Sequence, residues 1–269
     1  MMIGILGASG LIGHNFNLYL RNKGIPVVGS YYARKKEGLV KLDLFTDGFS
    51  VFDSCSHVVL AAGITGIDDC FRDKDRAYTC NVERTIACIR YLEERKIKPV
   101  FLSSDQVFDG CKGDYTEFDR TDPVNNYGKY KVMVEEFMAR AMKDYLVLRL
   151  SKTYSRNIAD GGMFAEIFAK LKAGMRISAA YNQIYNPTDI GTVCSGIHHA
   201  IKSDLRGVYH LADKNIMSRY EFARGIAEEY GFDQGLIDRI DFNSLCFQEK
   251  RALNSSLNVD KFSKTLSSV

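Results

Sequence analysis

The sequence predicts an α/β protein built on a doubly wound parallel sheet, with a smaller C-terminal cap. Short apolar runs alternate with amphipathic helices as far as Leu150, and strands that alternate with helices pair in parallel through right-handed crossovers. A glycine-rich turn joins the first apolar run to the first helix. Beyond Leu150 the alternation becomes irregular, which favours a smaller unit beside the sheet.

The elements follow in chain order. The predicted strands of the first part are Ile3–Leu6, Pro26–Tyr31, His57–Ala61, Pro99–Leu102 and Tyr145–Leu150. The predicted helices between them are Leu11–Asn22, Arg76–Arg95 and Asn125–Lys143. The later part predicts helices at Met163–Lys172, Asp189–Lys202 and Arg219–Tyr230 and a strand at Gly207–Leu211. We therefore expect one domain over residues 1–150 and a mainly substrate-binding part over 151–269, with some later segments returning to the first sheet.

Composition excludes several classes of protein. A net charge of +3 on 269 residues is too small to indicate a nucleic-acid surface. Seven cysteines stand without a CxxC pair, which indicates reduced thiols and no zinc site. The first apolar run is too short for a secretion signal, and no stretch has the length of a membrane span. We expect a cytoplasmic protein that acts on small molecules.

The glycine-rich turn indicates a dinucleotide cofactor. It reads Gly7-Ala8-Ser9-Gly10-Leu11-Ile12-Gly13, after a strand and before a helix. Gly7 allows the tight turn, Gly10 lets the backbone approach a pyrophosphate, and Gly13 lets helix and strand pack closely. Glycines in any strand–helix turn can produce such a pattern, but this one opens a βαβ unit. The context predicts a Rossmann-type nucleotide site.

The end of the second strand predicts NADP(H) rather than NAD(H). An NAD site places an acidic residue about 20 residues after the glycines, on the ribose 2′-OH. This chain has Tyr31-Tyr32-Ala33-Arg34-Lys35-Lys36 there, without an acid. Arg34 and Lys35 are suited to a 2′-phosphate, and a solvated basic loop is the alternative.

A second pattern predicts carbonyl chemistry. Tyr127 and Lys131 are four residues apart in a predicted helix, so they share one face. The ammonium is expected to lower the pKa of the phenol from about 10. Ser104 ends the fourth predicted strand, where its hydroxyl would face the same crevice. An aromatic packing residue beside a Lys131–Glu135 pair is the alternative.

Together, the glycine loop, Ser103-Ser104-Asp105 and the Tyr127–Lys131 spacing resemble the extended short-chain dehydrogenase/reductases, and more closely their dTDP-4-dehydrorhamnose reductase branch. The segments that carry the resemblance are Ser103–Gly110, Tyr115–Glu117, Pro123–Lys129, Gln183–Thr188, Gly207–Leu211 and Arg251–Asn258. It implies a catalytic trio of Ser104, Tyr127 and Lys131. The further cofactor contacts expected on this basis are Ser9, Leu11, Ile12, Tyr31, Asp43, Leu44, Ala61, Ala62, Gly63 and Asn81, with Asp43 at the adenine.

The departures from that branch lie in the sugar-binding half. Gln106 stands where the branch usually has Tyr, and Lys152 stands where it typically has a substrate-side Trp. Ala252 replaces a favoured Pro, and the Asp often found near Gln183 is absent. The expected substrate contacts are Ser104, Asp105, Gln106, Lys152 and Arg251. Lys152, Arg176 and Arg251 are also candidates for a diphosphate, on charge alone.

The resemblance implies NADPH-dependent reduction of a keto group on a nucleotide-linked sugar. Two alternatives stay open: an epimerase or dehydratase that retains its cofactor, and a non-catalytic NADP-binding subunit like the regulatory subunit of methionine adenosyltransferase. A homodimer is also open. No metal is expected, because the adjacent His198 and His199 point about 100° apart and acidic loops more often form turns. The acidic loop here carries Asp109, Asp114, Glu117 and Asp119.

Overall fold

The computed structural model describes residues 1–267. Its strands are β1 Ile3–Leu6, β2 Val27–Tyr31, β3 Val40–Lys41, β4 His57–Leu60, β5 Lys98–Ser104, β6 Leu146–Leu150, β7 Thr153–Tyr154, β8 Ile177–Ala180, β9 Ile184–Tyr185, β10 Thr188–Asp189, β11 Gly207–Leu211, β12 Met217–Ser218 and β13 Ile237–Ile240. Its helices are α1 Leu11–Asn22, α2 Ile67–Arg72, α3 Lys74–Tyr78, α4 Thr85–Glu94, α5 Asn126–Ala141, α6 Gly162–Lys172, α7 Ile190–Lys202, α8 Arg219–Tyr230 and α9 Asp260–Leu266. None of these helices has the length and apolar character needed to cross a membrane.

The main sheet has seven strands in the order β11-β6-β5-β4-β1-β2-β3. Every pairing in it is parallel, which confirms the predicted doubly wound α/β fold. The strand order reverses between β1 and β4, and in such sheets ligands bind at the carboxyl ends of the strands beside that reversal. β11 pairs with β6 along its whole length, so the chain returns to this sheet after residue 150.

Both faces of the sheet are covered by helices that bury apolar stripes. On one face α1 packs against β1 and against α7, with Phe16, Leu20 and Ile197 fully buried. On the other face α4 and α5 contribute Leu92 and Met138 to a second cluster. These two helix layers hold the strands in place, so that the carboxyl ends of the strands form the floor of the crevice.

The cap stands on the β6 side and consists of α6, α8 and short strand pairs. β8 pairs in parallel with β13, and β9 pairs with β12. α6 and α8 bury Phe164 and Phe222 between them. The predicted helices of this part are present, but α7 and β11 belong to the layers of the main sheet. A domain boundary at residue 150 stays a prediction.

The predicted helix Arg76–Arg95 is three segments in the structure. α3 passes into a π-helical stretch, Thr79–Arg84, before α4 begins. Within that stretch the Asn81 amide donates to the Ile64 carbonyl oxygen and accepts from the Ile64 N–H, both at 2.8 Å. Single π-helical turns of this kind often occur near functional sites. The wider turn accompanies the tertiary contact between Asn81 and Ile64. A contact between distant segments leaves no periodic signal in the sequence, so this stretch was not predicted.

Candidate active site

A cleft of about 660 Å³ lies between the carboxyl ends of the sheet and the cap. It brings together many of the residues predicted from sequence: Gly10, Leu11, Ile12, Ala61, Ala62, Gly63, Ser104, Asp105, Gln106, Tyr127, Lys131, Lys152 and Arg251. The other predicted positions lie behind or beside its wall: Gly7, Ser9, Gly13, Tyr31, Arg34, Asp43, Leu44 and Asn81. The cleft is therefore the candidate site.

The glycine turn forms a cradle for an anion at the start of α1. Gly7 has φ +90°, and a Cβ there would lie 2.6 Å from the Ala62 nitrogen. A Cβ on Gly13 would lie 2.3 Å from the Gly7 carbonyl oxygen, so both glycines are required by close packing. A Cβ on Gly10 would lie 3.6 Å from the Gly7 carbonyl oxygen, an ordinary contact; Gly10 caps α1 without a side chain, and the first turn carries no acid. The N–H groups of that turn are thus free to bind a pyrophosphate, which fits a dinucleotide.

The residues expected at the adenosine end lie beyond the cleft wall, beside β2 and β3. Arg34 is exposed and makes no ion pair within residues 1–267. Its loop lies near the first turn of α1, because the charge of Lys36, after burial, helps to lower the pKa of His14. The Asp43 carboxylate accepts from the Phe45 N–H at 2.9 Å and so shapes a turn. An exposed cation here is consistent with a 2′-phosphate contact, which stays a prediction.

Asn81 supports the cleft wall from behind. A Cβ on Gly63 would lie 2.9 Å from the Asn81 amide oxygen. With its two bonds to Ile64, Asn81 fixes the chain that follows β4, and its polar atoms point at that backbone. Leu44 is buried, and its carbonyl oxygen accepts from Arg84. The structure therefore gives Asn81 and Leu44 supporting contacts.

The three predicted catalytic residues converge where α5 begins. Asn125 caps the helix by accepting from the Gly128 N–H at 2.8 Å. A Cβ on Gly128 would lie 2.0 Å from the Gln106 carbonyl oxygen, so this glycine lets α5 approach the end of β5. That approach brings the Tyr127 phenol close enough to Ser104 for the serine side chain to act against the rise in its pKa. Lys131 Nζ donates to the Leu102 carbonyl oxygen at 2.7 Å and lies 5.6 Å from the centroid of the Tyr127 ring.

The electrostatics differ from the sequence expectation. Burial, followed by the charge of Asp105, raises the pKa of Tyr127 above its usual value, so the expected lowering by Lys131 is wrong for this structure. Burial also lowers the pKa of Lys131 to about 8. The expectation counted the ammonium and omitted the loss of water around both groups. Tyr127 is thus a protonated phenol near neutral pH, in the state needed to donate a proton.

Asp105 is the buried acid of the site. Its carboxylate accepts from the hydroxyls of Ser255, Ser104 and Ser151 at 2.7, 3.0 and 3.4 Å, and from the Gln106 amide at 3.2 Å. Burial raises its pKa in spite of these hydrogen bonds. The four donors fix the strand end, so Ser104 is held in one orientation beside Tyr127.

Three cations enter the cleft from the cap side. Lys152 and Arg219 make no ion pair within the described residues, whereas Arg251 Nη2 pairs with Asp68 Oδ2 at 2.7 Å. Burial lowers the pKa of Lys152, and the charges of Arg219 and Arg251 add to that effect. Arg176, predicted for a diphosphate, is instead an exposed partner of Asp238 outside the cleft. The charge of a residue in the sequence could not tell Arg251, which lines the cleft, from Arg176, which does not.

Sequence reasoning missed Arg219 and an apolar wall. Arg219 follows Ser218, whose capping box with Glu221 starts α8; the box is readable in the sequence, but its position over the cleft is not. Phe242, Leu245 and Phe247 line the same end of the cleft, and the two phenyl rings are 5.0 Å apart. Nothing in their spacing predicts this placement.

The acidic loop is occupied by contacts within the protein. Asp119 pairs with Lys112 at 2.7 Å, Asp109 accepts from the Tyr115 hydroxyl, and Glu117 accepts from the His210 N–H at 2.9 Å. Residues 1–267 hold no group of three His, Cys, Asp or Glu side chains arranged for a metal ion. That the protein needs no metal stays a prediction.

Comparison with known families gives one match over residues 1–269, to the family described as RmlD substrate binding domain. Spore coat polysaccharide biosynthesis protein SpsK of Bacillus subtilis is 31% identical, over 87% of this chain and 81% of SpsK. The probable low-salt glycan biosynthesis reductase Agl14 of Haloferax volcanii is 27% identical, over 95% and 89%. Methionine adenosyltransferase 2 subunit beta of Danio rerio is 26% identical, over 84% and 73%.

Solved structures give the same result for the fold. A hypothetical dTDP-4-dehydrorhamnose reductase from Sulfolobus tokodaii superposes with a TM-score of 0.85 at 27% identity, covering 98% of this chain and 94% of that one. A dTDP-4-dehydrorhamnose reductase from Bacillus anthracis in complex with NADP has the same TM-score at 22% identity, covering 98% and 92%. The architecture around the cleft is thus shared along nearly the whole chain.

Proposed function

The chain belongs to the RmlD substrate binding domain family, and on that premise we propose that it is an NADPH-dependent oxidoreductase that reduces a keto group on a nucleotide-linked sugar. The reductase names of relatives and structural neighbours support the reaction class. The observation that carries the proposal is the cleft itself. It holds the uncapped start of α1 and the group of Ser104, Tyr127 and Lys131 in one cavity.

The proposed mechanism assigns a role to each residue of this group. When bound, NADPH supplies the hydride that adds to the carbonyl carbon. Tyr127, kept protonated by burial, donates its proton to the forming alkoxide. The Ser104 hydroxyl donates its one proton to Asp105 in this structure and would turn that proton to the same oxygen when substrate is bound. Lys131 places a positive charge beside the phenol ring and is the candidate for holding the nicotinamide ribose.

NADP(H) is the proposed cofactor form. The glycine cradle at α1 fits the pyrophosphate, and the exposed Arg34 with Lys35 offers cations to a 2′-phosphate where no acid stands at the strand end. The NADP bound to the Bacillus anthracis neighbour supports the same choice.

The cap side of the cleft suits the nucleotide part of the substrate. Lys152 and Arg219, unpaired within residues 1–267, face the cavity with Arg251 and offer cations to a diphosphate. Phe242 and Phe247 form an apolar wall at the same end, suited to a nucleobase. Gln106 beside the trio is the candidate contact for the sugar ring. Lys152 and Gln106 depart from the dTDP-4-dehydrorhamnose reductase pattern, so the sugar itself is the part that screening must identify.

A regulatory NADP-binding subunit is the second candidate, because a methionine adenosyltransferase subunit is among the relatives. Such a subunit needs no proton donor, whereas this chain holds Tyr127, Ser104 and Lys131 in contact range. We also propose a cytoplasmic location, in line with cysteines that are all unpaired in residues 1–267. A homodimer would show as a doubled mass in solution.

The test is a screen of nucleotide-linked keto sugars, including dTDP-4-dehydrorhamnose, for NADPH oxidation. We expect one NADPH consumed per alcohol formed, which also separates reduction from epimerisation or dehydration without net cofactor turnover. Tyr127→Phe serves as the matched control, since it keeps the ring and removes the proton. A protein that binds NADPH tightly yet oxidises none of it with any keto sugar would favour the regulatory subunit.

A further inference from the structure

A buried ion pair lies directly beneath the proposed catalytic group. The Arg149 Nε lies 3.1 Å from both carboxylate oxygens of Glu135, and its Nη2 lies 2.6 Å from Oε2. Both side chains are almost wholly buried, with 6% and 7% of their surface exposed. Glu135, which the sequence left open as an alternative partner of Lys131, instead forms a pair that joins α5 to β6.

Glu135 also contacts the two elements that carry the catalytic residues. The Ser103 hydroxyl donates to its Oε1, and Ser103 immediately precedes Ser104 on β5. On α5, Glu135 is one turn beyond Lys131 and shares its face. One carboxylate therefore connects the strand end that holds Ser104 with the helix that holds Tyr127 and Lys131.

The far side of the pair is closed by a neutral histidine. Burial, followed by the charge of Arg149, lowers the pKa of His210 to about 3. A neutral ring satisfies both neighbours if Nδ1 donates to the Asn258 carbonyl oxygen at 3.1 Å and Nε2 accepts from Arg149 Nη1 at 3.4 Å. His210 then adds no charge, and the guanidinium is balanced by Glu135 alone within this network.

We infer that Glu135 is a positioning residue for the proposed reaction, whose carboxylate locks β5 to α5 and places a negative charge one helical turn from Lys131. The inference rests on the proposed function, because it assigns Lys131 to the cofactor. Within the described chain, Glu135 bonds both Ser103 and Arg149 while it stands one helical turn beyond Lys131.

The surroundings of Lys131 leave this electrostatic role to Glu135. The acidic groups whose charges act on Lys131 within residues 1–267 are Glu135, Cys70 and Cys80. Burial raises the pKa of the Cys70 thiol to about 11 and also raises that of Cys80. Both thiols are therefore protonated near neutral pH. Glu135 is the acid that opposes the loss of water around the ammonium, which otherwise lowers the pKa of Lys131.

The experiment measures NADPH affinity against pH by fluorescence, without any sugar. Wild type should lose NADPH affinity above pH about 8 as Lys131 deprotonates. This loss forms the alkaline limb of the affinity profile, and Lys131→Met should remove that limb. In the double variant Glu135→Gln with Arg149→Met, which removes both charges together, the limb should move about 1 pH unit or more toward acid. Single replacement of Glu135 by Gln would leave a buried unpaired guanidinium and risk misfolding.

Two further variants separate this role from a structural one. Glu135→Asp keeps the charge, so its limb should stay near the wild-type position even if turnover falls. Lys98→Met removes two ion pairs of another largely buried lysine, with the exposed Asp144 at 3.0 Å and Asp204 at 2.9 Å, at the opposite end of β5, and should leave the limb unmoved. A limb that stays in place in the double variant, or that moves equally in Lys98→Met, overturns the inference while the proposed function stands. A wild type that fails to bind NADPH overturns both.

Discussion

Replacing Lys131 by methionine should make the cofactor-free protein more stable while it weakens NADPH binding. The Lys131 side chain is half-buried in the cleft wall, with its ammonium over the Phe101 ring at 4.6 Å, and burial lowers its pKa to about 8. A methionine of similar length fills the same space without a charge. The site thus holds a group whose presence costs stability, as expected where function requires a charge away from water.

The size of the effect follows from the pKa. A fall from 10.5 to about 8 means that the folded state disfavours the ammonium by about 3 kcal/mol, at 1.36 kcal/mol per unit. That value already includes the attraction of Glu135. Losing the hydrogen bond from Nζ to the Leu102 carbonyl oxygen takes back about 1 kcal/mol. We expect Lys131→Met to raise the free energy of unfolding at pH 7 by about 2 kcal/mol.

The gain should depend on pH, which the assay uses. Denaturant unfolding of the cofactor-free protein is followed from pH 7 to pH about 10.5. As the pH rises through about 8, the folded wild type loses the buried charge while the unfolded chain keeps it up to its ordinary pKa of 10.5. Wild type therefore gains about 3 kcal/mol relative to the variant over this window. Because the neutral lysine keeps its hydrogen bond to Leu102, the difference should pass through zero and reverse by up to about 1 kcal/mol at the upper end.

Lys129→Met is the matched control, because Lys129 lies on the same helix and is exposed. Its effect should stay within about 0.5 kcal/mol at every pH. A Lys131→Met protein that is less stable than wild type at pH 7, or a gain that is constant across the pH range, would refute the reasoning.

Three further predictions concern ligands. Tyr127→Phe should bind NADPH as wild type does and turn over about 10²–10⁴ times more slowly, because only the proton donor is lost; undiminished turnover would remove Tyr127 from the mechanism. Arg34→Ala should weaken NADPH binding about 10- to 100-fold in titrations and leave NADH binding unchanged, and equal losses for both cofactors would contradict the 2′-phosphate contact. Arg219→Ala should raise KM for the nucleotide sugar about 10-fold or more in steady-state kinetics. Arg224, on the same helix and bonded to Gln234, is the control, and Arg224→Ala should leave KM unchanged. An unchanged KM for Arg219→Ala would exclude Arg219 from the diphosphate contact.

The parts of the fold that the sequence predicts are those with a local signal. The alternation of strands and helices predicted β1, β2, β4, β5 and β6 and their parallel pairing. Gly7 and Gly13 were identified because a close approach of backbone demands glycine there. Tyr127 and Lys131 were found because helical spacing alone places them on one face.

The parts that it could not predict depend on contacts between distant segments. Arg219 and Arg176 are equal in charge, and only the packing of α8 over the cleft separates them. The π-helical stretch accompanies the hydrogen bond between Asn81 and Ile64, and sequence periodicity does not reveal a bond between such distant segments. The pKa of Tyr127 rises because burial removes water from the phenol and the charge of Asp105 opposes the phenolate, and both are properties of the assembled cleft.

The return of β11 to the main sheet has a consequence for recombination between relatives. The chain leaves the sheet after β6, builds part of the cap, comes back through α7 and β11, and ends with α9, whose Phe262 is buried in the core of the sheet. A chimera that exchanges everything after residue 150 would therefore replace the edge strand β11, which pairs with β6, along with the substrate pocket. It would also replace α7 and α9, which pack on the sheet. Substrate preference should transfer between relatives only when two separate pieces, about residues 151–187 and 212–258, are exchanged together and the intervening segment stays with its own sheet.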